Sequence, residues 1–249
     1  MKNRVSYVPA LAFLLISAAS ARSEIPAPTI EHYYSAYDSY LNGVVDSKEF
    51  DIPLEIFLSE LRNFDDPVEA AYWRGRVSLL RGMAHIESGN HDDAERYLDE
   101  AVEIAEEMIA GLDTERGTCL KADAKGRILI IRGLPYKISH AGEVLKLAEI
   151  VLEINPENVR ALLLVALRRV NAPKIFGGNP ETGIEILERI LSRPDIDETV
   201  SRQDQFWCLL ALGEANAKAG RNNHARTHYQ NALFMYPGNS EALALLGEL

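Results

Sequence analysis

The residues best spaced for chemistry are His224 and His228, in the stretch NNHARTHYQNAL from Asn222 to Leu233. Four residues apart on a helix, two imidazoles fall on one face, as a zinc-binding pair requires. The remainder of such a site is not written nearby. A metalloprotease helix needs a glutamate directly after the first histidine, where Ala225 stands, and a third ligand held close by. The spacing suits at most a weak surface copper or nickel site without catalytic consequence. Other reactive patterns fare no better: the chain has no Gly-x-Ser-x-Gly elbow, no phosphate loop and no dinucleotide fingerprint after a strand. The glycines of FGGN, Phe176 to Asn179, could form an anion-binding nest, but they suit equally a connector turning into Asn179-Pro180, which is the expectation here. Runs such as EIAEE and DDAERYLDE read as solvated helix faces. The sequence therefore leads to no catalytic residue, no metal, no cofactor and no enzyme activity.

Cys119 and Cys208 are the only cysteines and lie in segments of helical pattern. They read as two small buried side chains, although an oxidising compartment would permit a bond between them. The compartment is suggested by the first residues. Lys2 and Arg4 precede an apolar run, Val5 to Ala19, which ends in Ala19-Ser20-Ala21, the small-x-small pattern of a secretory cleavage site. Pro9 interrupts the run, which is shorter than the roughly 20 residues of a membrane-spanning helix. No cysteine follows it to carry a lipid, so an exported, periplasmic or secreted chain without stable membrane insertion is expected. Removing the leader leaves 24 basic residues against 37 acidic ones. So acidic a chain does not bind nucleic acid or anionic headgroups through its average field.

Which elements would position these side chains? After Pro26 and Pro28, β-branched alternation is scarce and apolar residues recur at helical spacing. The chain is expected to be all-α, with helices near 29–41, 53–63, 67–88, 92–110, 115–132, 141–154, 156–171, 180–192, 198–219, 222–236 and 240 onward. Asp66-Pro67, Asn155-Pro156 and Asn179-Pro180 each set a capping side chain before a proline suited to the first turn. Gly89 and Gly220 suit the left-handed residue that ends a helix. The stretches SGNHDDAERYLDEAV (Ser88 to Val102) and AGRNNHARTHYQNAL (Ala219 to Leu233) align Gly89 with Gly220, Ala94 with Ala225, Leu98 with Tyr229 and Ala101 with Ala232. This is an internal repeat.

On these residues the chain resembles the tetratricopeptide repeat family, whose unit is an antiparallel helix pair. Leu209, Leu212-Gly213, Gly220, Ala225, Tyr229, Ala232 and Pro237 match its pattern in register, with Asn216 departing where an aromatic is usual. Degraded copies contain Gly82 to Ala101, the VLEINP closing at Pro156 after a first helix interrupted by Gly133 and Pro135, and Leu162, Val165-Ala166, Gly183 and Leu187 around an inserted NAPKIFGGN. The segments VLEINPENVRALLLVAL and APKIFGGNPETGIEILERIL also look like exported bacterial repeat proteins. They are more weakly similar to the T component associated with TRAP transporters. The resemblance implies a right-handed superhelix of antiparallel helix pairs with degenerate repeats over 67–249, capped by the C-terminal helix. A leader over 1–21 and a linker with unassigned helices over 22–66 precede it.

In that register His224 and His228 flank the buried Ala225 and Tyr229 and fall on a partly exposed side. The family's inward positions fall on Arg76, Leu79, Met83 and Ile86, on Arg160, Leu163, Leu167 and Val170, and on Trp207, Leu210, Glu214 and Lys218. They imply an apolar concave groove with charges at its rim, unless the N-terminal helices bury it. The chaperone-binding version of the fold uses lysine and asparagine where Leu163, Leu167, Leu210 and Glu214 stand, so capture of a peptide's terminal carboxylate is not implied. The functional expectation is a non-catalytic exported scaffold that binds a peptide or partner protein in the groove. The alternative is a periplasmic accessory of a transport system holding a small apolar ligand in a closed cavity. N-terminal sequencing of exported protein is expected to begin near Arg22; an intact Met1 on membrane-bound material would refute the leader.

Overall fold

The computed structural model describes residues 27–45 and 48–249, so the expected leader lies outside the described residues. These residues form twelve α-helices, one 3-10 turn and no strand. In chain order the helices are α1 (Ala27–Leu41), α2 (Lys48–Leu61), α3 (Pro67–Glu87), α4 (His91–Gly111), α5 (Thr114–Ile131), α6 (Leu134–Ile154) and α7 (Val159–Asn171), then the 3-10 turn at Lys174–Phe176. There follow α8 (Pro180–Leu191), the single turn α9 (Ile196–Thr199), α10 (Arg202–Lys218), α11 (Asn222–Met235) and α12 (Ser240–Gly247). No described helix is long and apolar enough to cross a membrane.

Side-chain caps set several starts. Asp66 Oδ1 accepts from the amides of Val68 (2.9 Å) and Glu69 (3.2 Å), and Asn179 Oδ1 accepts from Glu181 (3.2 Å), each ahead of a first-turn proline as expected. Asn155-Pro156 behaves differently. Asn155 donates from Nδ2 to Glu115 Oε1 (2.9 Å), Pro156 lies in a turn, and α7 starts three residues later, where Asn158 Oδ1 accepts from Ala161 N (3.1 Å). The Gly133–Pro135 break also proves to be a boundary: α5 ends at Ile131, and Pro135 opens a full-length α6 that begins well before the expected Ala141. Ser201, accepting from Asp204 N at 3.1 Å, separates α9 from α10. Pro53 lies inside α2, whose first turn carries Glu49 and Asp51.

Consecutive helices pack side by side: α3 on α4, α4 on α5, α5 on α6, α7 on α8 and α10 on α11. The closest approaches occur where a side chain has been dispensed with. A Cβ on Gly82 would stand 2.7 Å from Leu98, and one on Gly213 would stand 2.3 Å from the Tyr229 ring. These pairs have the same spacing, and in both the chain turns back through a left-handed glycine, Gly89 or Gly220, each at φ +75°. Ala94, Ala101, Ala225 and Ala232 have no exposed surface. Gly183 closes the α7–α8 pair in a related way, against Val170.

The N-terminal helices are not a separate layer. Tyr33, Tyr37 and Leu41 of α1 and Leu54 and Phe57 of α2 share one apolar core with α3, α4, α5, α10 and α11, while α7, α8 and part of α10 enclose a second. Helix α1 thus touches both α3 and α10. Ala232→Leu is expected to lower stability by about 1 to 3 kcal/mol in chemical denaturation, because nothing larger than a methyl has room there. The half-buried His228 is expected to cost about 0.5 kcal/mol or less on replacement by alanine; the reverse ranking would refute this packing.

Candidate functional site

Four helices each contribute one charged residue to a largely buried chain of alternating sign. Arg160 of α7 lies at its centre, with Nη1 2.6 Å from Asp123 Oδ2 of α5 and Nη2 3.1 Å from Asp204 Oδ1 of α10. Arg76 of α3, 7% exposed, extends the chain with Nη1 3.7 Å from the same Asp123 oxygen and Nε donating to the Tyr33 hydroxyl at 3.3 Å. Burial opposes the charge on Arg160, but Asp123 and Asp204 hold its pKa well above the ordinary value. Asp204 is positioned in turn by Ser201, whose hydroxyl donates to Oδ2 at 2.8 Å.

Beside this chain lies a cleft of about 650 Å³, lined among others by Tyr72, Arg76, Arg116, Asn158, Arg160 and Asp204. The Arg116 guanidinium lies 4.7 Å over the Tyr72 ring and is held by Glu69 (2.7 Å) and Asp113 (2.9 Å). Asn158 joins the wall by donating to Glu115 at 3.0 Å while capping α7. Arg193 at the rim pairs with Glu157. Depressions of about 780 and 690 Å³ along α1 and beside α9 are more open to solvent. What distinguishes the cleft is the buried guanidinium at its inner wall. Such a wall can bind and orient a charged group. Cys119 supplies no nucleophile there, because burial pushes its thiol up to about 12. Both cysteines are free and buried.

Only two of the expected groove residues, Arg76 and Arg160, come together in this cleft. Leu79, Met83 and Leu210 are 3%, 4% and 2% exposed in the core shared with α1, and Leu163 is buried between α7, α8 and α10. Leu167 is half-buried against that second core. Trp207 is half-buried, with Nε1 donating to the Tyr37 hydroxyl at 2.9 Å and Arg127 4.8 Å over its ring. Lys218 is exposed beside Glu214 and Asn171. An open apolar groove along these residues is therefore not what the described chain presents: most of them are buried in cores, one of them shared with α1, whose Tyr33 and Tyr37 hydroxyls accept from Arg76 Nε and Trp207 Nε1.

The other sequence candidates are also placed. His224 is exposed and His228 half-buried, on either side of buried Ala225 and Tyr229, and burial lowers the His228 pKa. Among the described residues no group of three or more His, Cys, Asp or Glu could hold a metal. FGGN forms a connector. Gly177 has φ +84°, a Cβ on Gly178 would lie 1.7 Å from Ala172 O, and Arg168 and Arg169 donate to the carbonyls of Phe176 and Gly177. Asp123, Asp204, Arg116 and Tyr72 were not singled out from the sequence. No sequence signal marked them: Asp123 stands between Ala122 and Ala124, whose complete burial is known only from the fold.

No family model, curated protein or solved structure significantly matches the chain. The geometry itself yields a test of Trp207. Trp207→Ala is expected to lower stability by about 3 to 5 kcal/mol, and Tyr37→Phe by about 1 kcal/mol through the lost hydrogen bond. A Trp207→Ala protein as stable as the parent would show that α1 is not held there.

Proposed function

We propose that the protein is a non-catalytic, exported binding module of the tetratricopeptide type. In this reading α3–α4, α5–α6, α7–α8 and α10–α11 are degenerate repeats of a right-handed superhelix, and α12 is its cap. The ligand is a small molecule taken in the cleft beside Arg76, Arg160 and Tyr72. The observation that carries this reading is the burial of the inward residues Leu79, Met83 and Leu210, where an extended peptide would have to bind, in the core that α1 shares, while a partly open cleft lined by several charged side chains lies beside Arg76. The same observation changes the expected ligand. Walls of arginine, asparagine and aspartate do not favour a wholly apolar molecule. The equal spacing of Gly82–Leu98 and Gly213–Tyr229 supports the repeat assignment.

One further feature favours an additional protein partner. Ile130, Leu134 and Ile138 near the α5–α6 turn are 52%, 68% and 67% exposed, and such apolar surface is a common feature of interfaces. A scaffold role outside the groove is therefore retained as a second reading. Native mass spectrometry of protein purified from its own envelope or medium decides on the first: a small molecule should accompany the folded chain and be released on denaturation. Val159→Trp, which places an indole at the cleft wall, should empty it without loss of helicity by circular dichroism. Co-purification of polypeptide alone, or retention of the small molecule by Val159→Trp, would overturn the cleft assignment.

A further inference from the structure

We propose that the ligand is a zwitterion with separated poles, a carboxylate received by Arg76 at the inner wall and an ammonium received by Asp195 at the mouth. This rests on the cleft reading and specifies its ligand. Most of the charges around the cleft are already paired. Arg160 is held between Asp123 and Asp204, Arg116 between Glu69 and Asp113, and Arg193 pairs with Glu157. The remaining Nη2 of Arg116 has no hydrogen-bond partner, but it is shut away from open space.

Two lining charges are less fully engaged. Arg76 is buried, yet of its five N–H donors only Nε makes a hydrogen bond; its Nη1 is 3.7 Å from an Asp123 oxygen that Arg160 approaches much more closely. Its residual surface is offered to the cleft, where its planar fork suits a carboxylate. Asp195 lines the same cleft from the exposed connector between α8 and α9, and its carboxylate makes no hydrogen bond or ion pair among the described residues. One cation at the buried wall and one anion at the exposed rim match one ligand with opposite ends.

The surroundings argue against a multiply charged anion. The carboxylates of Asp123, Asp204, Glu69, Asp113 and Glu157 outnumber the three other guanidinia, of Arg116, Arg160 and Arg193, so a second negative charge on the ligand would meet carboxylates rather than cations. A ligand of zero net charge enters without that repulsion. Its poles must be spaced, because Arg76 is enclosed while Asp195 is exposed. ω-Amino acids and short peptides share this chemistry, and the Tyr72 ring and the Val159 side chain offer surface to the carbon chain between the poles.

Isothermal titration of the full-length folded protein with four probes tests the proposal. 6-Aminohexanoate should bind at one site about tenfold or more tighter than hexanoate, hexylammonium or glycine, the last having its poles too close together. Trialanine and its C-terminal amide distinguish the peptide source: the free acid should bind and the amide should not if short peptides are the natural form. If neither binds, single ω-amino acids are the form. Asp195→Asn, at an exposed position, should weaken 6-aminohexanoate by about tenfold and leave hexanoate unchanged. Arg76→Gln should abolish binding of both, with Arg76→Lys retaining part of it; should the Arg76 variants fail to fold, Asp195→Asn still decides. Equal affinity for hexanoate and 6-aminohexanoate, an unaffected Asp195→Asn variant, or no binding of any probe would overturn the zwitterion. A native small molecule alongside that negative result would leave the binding-module reading standing. Absence of both would end the two together.

Discussion

The alternating chain Arg76–Asp123–Arg160–Asp204 is the constraint to which the surrounding architecture answers. It draws one residue from each of α3, α5, α7 and α10, so these helices must present their inner faces in one register or leave a charge buried without a partner. Breaking a buried pair by removing one member costs about 3 to 5 kcal/mol, far more than the net worth of forming it. The chain is therefore better understood as a register device than as a source of stability. Apolar packing along the same faces, for instance Leu163 against α8 and α10, would tolerate sliding that the charges do not. Arg160 contributes most to this, because its two Nη atoms address carboxylates on two different helices.

Helix α1 completes what the charges begin. It joins the start of the helical array to its end: Tyr33 meets Arg76 and Trp73 on α3, while Asp38 accepts from Gln203 on α10 (2.7 Å) and from the Tyr236 hydroxyl (2.6 Å). Asn239 donates to the Leu41 carbonyl at 2.9 Å, which ties the entry to α12 to the end of α1. Apolar burial supplies the attraction, and these directed bonds determine the depth and rotation of α1. The N-terminal helix is thus a structural part of the inner face, and the concave surface inferred from the later helices alone was incomplete.

That difference marks what could be seen in the sequence. Helix positions were legible because they follow from local chemistry: apolar spacing, the caps Asp66 and Asn179, and the left-handed glycines Gly89 and Gly220. Of the positions expected to line a groove, Arg76, Leu79, Met83, Leu163 and Leu210 are buried, whereas Lys218 is exposed. What occupies the interior was not legible. Tyr37 and Trp207 are 170 residues apart in the chain, and no spacing rule connects them. Asn155 Oδ1 does accept from the amide of Glu157, but the chain continues there as a turn, and Asn158 caps α7 three residues later; both asparagines donate from Nδ2 to Glu115 of another helix.

The cleft follows from where this closure stops. Tyr33 of α1 reaches Arg76 through a single bond to Nε and leaves the guanidinium's outer edge uncovered. Beyond that point the wall is built by the entry to α7, with Asn158 and Val159, and by the connector from Arg193 to Thr199, rather than by another packed helix face. A connector can carry Asp195 to the rim without burying it, whereas the charges that the helices behind bring inside lie in an alternating chain of which Arg76 is the loosest member. The division of labour is physical: helices supply the enclosed cation and hold it in register, and the connector supplies the accessible anion. On the proposed reading, a site of mixed sign arises at the boundary between the two, where a ligand is distinguished by the signs and separation of its ends.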